Sequence, residues 1–186
     1  MQTIRLTGDY VGNHERQRQA SAAGCTCVLD FHFNSFDKPS ANGGECFYQK
    51  GQSRSKELAK AIVEAITSCG LKLRSESLKE SVNTRAGFID YYQCPTVLLE
   101  PLFLSNPADA AWIHRPENVQ ALGKAIAERL RPLLRTQDIL GISIGHKGKT
   151  SQPKDRGTEC LHGDDEADHA EALAAVIESA LQAGNG

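Results

Sequence analysis

Apolar positions along the chain follow two periods in alternation. "TIRLT" (3–7), "CTCVLDFHFNS" (25–35), "TVLLEPLFLSN" (96–106) and "ILGISIG" (139–145) are short apolar runs bounded by polar or turn residues, which predicts strands. In "SRSKELAKAIVEAITSCG", Leu58, Ala61, Ile62, Ala65 and Ile66 recur at the spacing of one helical face, with a serine before them and Gly70 after. Val119, Leu122, Ile126, Leu130 and Leu133 do the same in "ENVQALGKAIAERLRPLL", with Pro132 near its last turn. "HERQRQASAAG" predicts a helix closed by Gly24. "DDEADHAEALAAVIESALQAG" predicts another, with acids at its start, Ala170, Leu173, Ala174, Ile177 and Leu181 on one face, and Gly184 at its end. Strands alternating with helices predict a single α/β domain, a mostly parallel twisted sheet of about six strands with helices on both faces.

In open α/β sheets, sites assemble at the carboxyl ends of the strands. Three side chains are placed there: His32, Glu100 and His146. Glu166 stands near the start of the helix that follows His146. Two imidazoles and a carboxylate are the protein ligands of a hydrolytic zinc site, with the fourth position left to water. A further carboxylate beside that water can serve as general base, because zinc brings the water's pKa toward neutrality.

Each residue also has a plainer explanation. A histidine at a strand end is more often hydrogen-bonded or solvated than a ligand. Acids in the first turn of a helix are favoured by the macrodipole alone, and "DDE" supplies three. Glu100 is harder to explain this way, since a carboxylate inside "VLLEPLFL" is costly to desolvate without a purpose or a partner.

Composition excludes several classes of function. The 186 residues suit one domain with a sizeable core, and a formal net charge of -2 argues against a phosphate-backbone partner. The longest apolar stretches are broken by Pro or Glu, well short of the ~20 residues a membrane span needs. "MQTIRLTGDYVGNHERQRQA" lacks the apolar core of a secretory signal, so synthesis in the cytoplasm is expected. The six cysteines form no regular frame, and Cys25 and Cys27 make C-x-C without a second pair, which predicts free, mostly buried thiols.

The same residues carry a resemblance. "VLDFHFNS" resembles the strand ending in His-Ala-Asn of the zinc-dependent N-acetylmuramoyl-L-alanine amidases of the Amidase_3 type, and "PTVLLEPLFLSNPAD" resembles their Val-Glu-x-Gly-Phe-Leu-Ser-Asn signature. "RLTGDYVGNHERQRQASAAGC" and "ANGGECFYQKGQSRSKELAKAI" are similar to the segments before and after the histidine strand, so the likeness covers residues 3 to about 134. The family opens with a strand ending in Gly-His-Gly-Gly and then a helix headed by Glu, often as Glu-Ala-Asp. Here the matching pieces, "ISIGHKGK" and "DEADHAEALA", follow residue 139. The implied order is a circular permutation: 1–134 runs from the family's second strand onward, 139–186 holds its first strand and helix, and "RTQD" joins the old ends.

What the resemblance implies is specific. One zinc ion per chain would be held by His32, His146 and Glu166, with Glu100 as the catalytic residue. The expected reaction is hydrolysis of the amide between N-acetylmuramic acid and L-alanine in peptidoglycan, by an endolysin-like enzyme that acts at the bacterial cell wall after release. Glu159 and Asp165 are the rival acidic ligands, and His162 and His169 can reach Glu166 across one helical turn as solvated or supporting groups. Departures from the pattern include "GHKGK" for Gly-His-Gly-Gly, Phe33 for Ala, and Pro101 and Leu102 after Glu100. They leave two alternatives in play: an amidase fold that binds peptidoglycan or a partner without cleaving it, and a carboxypeptidase-like zinc hydrolase. A monomer is expected, with exchange of residues 139–186 between two chains as the other possibility.

Overall fold

The computed structural model describes residues 1–12 and 14–183. One sheet is built from β1 (Gln2–Leu6), β2 (Cys27–Phe31), β3 (Gly44–Tyr48), β4 (Leu73–Glu80), β5 (Thr96–Glu100) and β6 (Ile139–Ile144), in the order β1-β6-β2-β5-β3-β4. β1, β6, β2 and β5 are mutually parallel; β3 runs antiparallel to β5 and parallel to β4. The expected mostly parallel sheet is therefore present, with two strands on one side reversed. Around it lie α1 (Glu15–Ala22), α2 (Ser53–Ser68), α3 (Pro107–Ile113), α4 (Pro116–Leu130) and α5 (Glu166–Ala183), plus 3-10 turns at Gly87–Tyr91 and Arg131–Leu133.

The helix faces read from the sequence are the ones that pack. Leu58, Ile62 and Ile66 of α2, Leu122 and Ile126 of α4, and Leu173 and Ile177 of α5 share one core with Leu29, Leu99 and Ile142 of the sheet. The opposite face is covered more thinly, by α1 and the 87–91 turn, through Ala20, Ile89, Val28 and Leu98. Every residue of β2 and β5 is buried, as expected of strands covered on both faces.

Several boundaries differ from the sequence reading. α4 stops at Leu130, because Pro132 has no N–H to continue the ladder, and Leu133 lies in a 3-10 turn. Regular pairing of β5 ends at Glu100, with Pro101 next, and of β2 at Phe31; beyond them Asn34 and Phe103 form a single isolated bridge. β3, β4 and α3 are additions to the elements placed by pattern alone. Gly184, expected to close α5, lies outside the described residues. All six cysteines are free, four of them buried. No helix among the described residues is long and apolar enough to cross a membrane.

The last turn of α5 lies beside β1: Gln182 Nε2 donates to Thr3 Oγ1 at 3.3 Å. The "RTQD" connection is a built turn. Arg135 N–H donates to Asp138 Oδ2 at 2.8 Å, Asp138 N–H returns to Arg135 O at 3.0 Å, and Gln2 N–H reaches Asp138 O at 3.1 Å.

Candidate metal centre

β6, β2 and β5 are neighbours in the sheet, so their carboxyl ends deliver His146, His32 and Glu100 to one place. Backbone bonds fix the level of each. Gly145 N–H donates to Phe31 O at 2.8 Å, and His32 N–H donates to Leu99 O at 3.0 Å. Glu166 is the first residue of α5, and its carboxylate turns back over the strand ends. His32 Nδ1 is 3.0 Å from Glu166 Oε1, across 134 residues of sequence, and His146 Nε2 is 3.5 Å from Oε2. Ligand atoms of the three side chains lie within 4.8 Å of one another. These are the three residues that the sequence pointed to as candidate ligands. The rivals lie elsewhere: Glu159 is exposed, and Asp165 is paired with Arg156.

Two glycines make room for the cluster. A Cβ on Gly145 would meet Cε1 and Nδ1 of His32 at 2.5 Å, so only glycine can precede His146 while the His32 ring keeps its place. Gly157, at φ 81°, would drive a Cβ to 2.5 Å from Glu166 Oε2. His146 itself holds φ 59°, a left-handed conformation that non-glycine residues seldom adopt outside tight turns and functional sites. The turn is braced by Arg16, which is fully buried. Its guanidinium donates to Ser143 Oγ at 2.8 Å, to Ile144 O at 2.6 Å and to Lys147 O, while Nε reaches Gly8 O at 2.8 Å.

Each imidazole turns one nitrogen toward Glu166 and the other toward an aspartate. His32 Nε2 is 3.6 Å from Asp30 Oδ1, just beyond hydrogen-bond length, and His146 Nδ1 is 2.9 Å from Asp155 Oδ1. Metal-ligating histidines commonly show this arrangement, in which an outer carboxylate fixes the tautomer and the ring direction. Asp30 is fully buried, and burial raises its pKa against the charges of His32 and Arg16. Burial also acts on Asp155, but bonds from Lys149, from Gly157 N–H and from His146 outweigh it and hold the carboxyl well below the usual range.

The electrostatics favour a positive charge at the centre. Burial opposes charging of His32, yet its bond to Glu166 and the charges of Asp30 and Glu166 raise its pKa. Burial likewise opposes ionisation of Glu166, and His32 and His146 overcome it, lowering the pKa. A divalent cation bound among His32, His146 and Glu166 would answer the same negative charge. The two imidazole nitrogens lie 3.0 and 3.5 Å from the two carboxylate oxygens of Glu166, close enough for one ion to draw on both rings and the carboxylate. The donor set fits zinc.

Glu100 is buried beside this cluster, in a cavity of about 450 Å³ that also includes His32, His146, Glu166, Tyr10 and Phe88. Its Oε2 accepts from Asn34 Nδ2 at 3.0 Å and from Arg85 Nη2 at 2.5 Å. Burial raises the Glu100 pKa, and Arg85 opposes that shift. Asn34 also donates to Glu45, which faces Glu100 across the antiparallel β3–β5 pair and is held by Lys79 and Arg74. A second cavity of about 810 Å³ adjoins the first through Ser35 and Arg85 and includes Arg74 and Lys79.

Four residues with roles here were not marked by the sequence reading. Asp30 carried a usable signal, since it is a carboxylate inside the apolar run "CVLDFHF" just as Glu100 is inside "VLLEPLFL". Arg16, Arg85 and Asp155 lie in polar segments where nothing distinguishes them from solvated charges.

A family model described as N-acetylmuramoyl-L-alanine amidase, Amidase_3, matches residues 2–131. The chain is 33% identical over 110 residues to the N-acetylmuramoyl-L-alanine amidase LytC of Bacillus subtilis (strain 168), an alignment covering 58% of this chain and 21% of LytC. The fold is similar to the catalytic domain of CwlV, an N-acetylmuramoyl-L-alanine amidase from Bacillus (Paenibacillus) polymyxa var. colistinus, with TM-score 0.55 and 24% identity over 66% of this chain and 65% of that one. It is also similar to an N-acetylmuramoyl-L-alanine amidase from Clostridium difficile 630, with TM-score 0.58 and 22% identity over 68% and 67% of the two chains. The chain thus spans about a fifth of LytC and 65% of the CwlV domain. Its match to the family model over most of its length places this chain in the Amidase_3 family of N-acetylmuramoyl-L-alanine amidases.

Proposed function

We propose that this protein is a zinc-dependent hydrolase of the amide bond between the lactyl group of N-acetylmuramic acid and the L-alanine of the peptidoglycan stem. The observation that carries this reading is the meeting of His32, His146 and Glu166 beside the buried Glu100, in a chain of amidase family. His32, His146 and Glu166 would hold the zinc ion, which when bound polarises the scissile carbonyl and acidifies a water molecule. Glu100 accepts the proton of the attacking water and returns it to the departing alanine nitrogen as the C–N bond breaks. Arg85 and Asn34 both bind Oε2, which assigns the proton to Oε1 and keeps the carboxylate facing the cavity. Asp30 and Asp155 keep the two imidazoles aimed at the centre. Arg74, Lys79 and Arg85, at the adjoining cavity, supply positive charge suited to the carboxylates of a stem peptide.

The test uses purified sacculi. Wild-type protein should carry zinc and release stem peptides with a new L-alanine amino terminus, and Glu100→Ala should keep the zinc and lose at least about a hundredfold in rate. Zinc-free protein that binds muropeptides without turnover would instead establish a binding module, and release of a terminal amino acid a carboxypeptidase. A lytic, endolysin-like setting belongs to the same reading: protein added from outside should clear a suspension of wall-exposed cells.

We further read residues 139–186 as the family's first strand and first helix carried at the other end of the chain. Three observations support this. The family model stops at residue 131, before β6 begins; β6 nonetheless lies between β1 and β2; and Gln182 touches Thr3, so the two ends are close enough to have once been continuous.

A further inference from the structure

Four of the six histidines take no part in the centre described above, and three of them lie together. His114 follows the last residue of α3, His162 lies on the loop that enters α5, and His169 is in the first turn of α5, beside Phe33. They converge on one acid. His114 Nδ1 is 3.4 Å and His169 Nε2 is 3.6 Å from the same oxygen, Asp164 Oδ2. The three ligand atoms lie within 4.8 Å of one another, and the His162 ring stacks on His114 with centroids 4.5 Å apart.

Hydrogen bonding does not explain this arrangement. The side chain of His169 is only 8% exposed, and its Nε2 makes no hydrogen bond. A buried ring nitrogen without a partner is costly, and here it is aimed at a carboxylate from a distance slightly too long for a bond. Both separations are close to the ~3.3–3.4 Å edge of a tetrahedron around an ion bonded at about 2.0–2.1 Å. Burial also lowers the His169 pKa, with Asp164 acting against it, which favours the neutral ring that a metal requires.

We propose that His114, Asp164 and His169, with His162 at hand as a further imidazole, form a second metal site, distinct from the centre that includes Glu100. Its chemistry selects a divalent transition ion, zinc first and nickel, cobalt or copper as mimics, over magnesium or calcium, which prefer all-oxygen ligands. The site joins three pieces of the fold: the end of α3, the loop before α5, and the first turn of α5. That turn begins with Glu166, and between the two sites stands Phe33, whose ring packs on His169 at 5.9 Å while its N–H donates to Glu166 Oε1 at 3.2 Å. An ion here clamps the loop and the head of the helix that presents Glu166. Its role is structural, and an expectation of one ion per chain becomes two.

The experiment is a zinc titration of the 186-residue chain by calorimetry, with metal content measured after dialysis. His114→Ala and Asp164→Asn are the variants of choice, because both side chains are at least one-third exposed and the fold does not rest on them. Each should retain the parent's circular dichroism and lose one equivalent of zinc. In a His32→Ala background, zinc should still raise the melting temperature, and adding His114→Ala should abolish that rise. Zinc binding that is the same in the parent, His114→Ala and Asp164→Asn overturns the proposal, whatever the first centre binds. Cobalt offers an independent readout: the visible spectrum of the His32→Ala protein should show a tetrahedral d–d band that His114→Ala removes.

Discussion

At Glu100, function and stability pull in opposite directions. Burial raises its pKa, and the Arg85 charge only partly opposes this, so the folded protein holds the proton more tightly than the unfolded chain does. The sign follows from linkage: the contribution to stability is fully present below the unfolded carboxylate pKa and is lost as pH rises through the elevated folded value. At neutral pH the ionised side chain therefore costs stability. Glu100→Gln should abolish hydrolysis and raise stability by roughly 0.5–2 kcal/mol. Urea melts at pH 5 and pH 8 check the sign, since the advantage of the variant must be larger at pH 8. Arg85→Ala, by removing the opposing cation, should move the acid limb of kcat/KM to higher pH. A different readout tests the groups behind the ligands. Asp30→Asn should weaken zinc binding about 10–100-fold, the usual cost of losing an outer carboxylate, and unchanged affinity would remove Asp30 from the site. His32, His146 and Glu100 were legible because a histidine at a strand exit, or a glutamate inside an apolar run, is conspicuous in one dimension, whereas Glu166, one of three acids at a helix start, was singled out only by the resemblance. Asp155 was not, because "QPKDRG" reads as any solvated loop and only the folded turn brings it to His146.

At the scale of elements, legibility tracks burial. α2 and α5 pack with the faces their periodicity predicted, since a helix that buries one stripe must show a 3.6-residue period. β3 and β4 escape for physical reasons. β3 is five residues long, buried throughout, and interrupted by Glu45, whose charge is met by Lys79 and Arg74 of the neighbouring β4 and by Asn34. β4 pairs in the sheet only with β3, and its "LRSESLKE" stays half-buried to exposed, so it shows neither a continuous apolar run nor a clean alternation. Arg16 shows how elements distant in sequence are coupled. From α1 it satisfies carbonyls of Gly8, Ile144 and Lys147 in the interior, so its loss leaves several buried acceptors unpaired at once. Arg16→Met should cost roughly 3 kcal/mol of stability, measured by chemical denaturation, and a change within 0.5 kcal/mol would show that water replaces it easily. Gly145→Ala separates packing from chemistry at the same turn. Its methyl group would displace the His32 ring, so zinc affinity should fall more steeply than melting temperature.

At the scale of the whole molecule, the question is whether residues 139–186 are a C-terminal appendage or the missing beginning of the domain. The sequence made the second reading available only through its motifs, because hydrophobic pattern alone cannot say that β6 inserts between β1 and β2 rather than at an edge. The structure supplies the physical condition that a permutation must meet. Both junctions are short: Thr3 and Gln182 are hydrogen-bonded, and the 135–138 turn is tied mainly through Asp138. Burial works against ionisation of Asp138, but the N–H and guanidinium of Arg135 outweigh it and lower the pKa, so the turn's contribution is present at neutral pH and lost as pH falls through the folded value. A gene reopened within residues 134–137, with a short Gly-Ser linker from 186 to 1, should therefore fold to the same sheet. It should bind zinc with the parent's affinity, because the partners named above for His32, His146 and Glu166 lie outside both junctions. The loss should be confined to the 135–138 turn, about 1–2 kcal/mol by chemical denaturation. A re-cut chain that fails to fold, or that folds without binding zinc at the first centre, would show that the present order is required, and that residues 139–186 are an integral late-folding piece rather than a displaced first one.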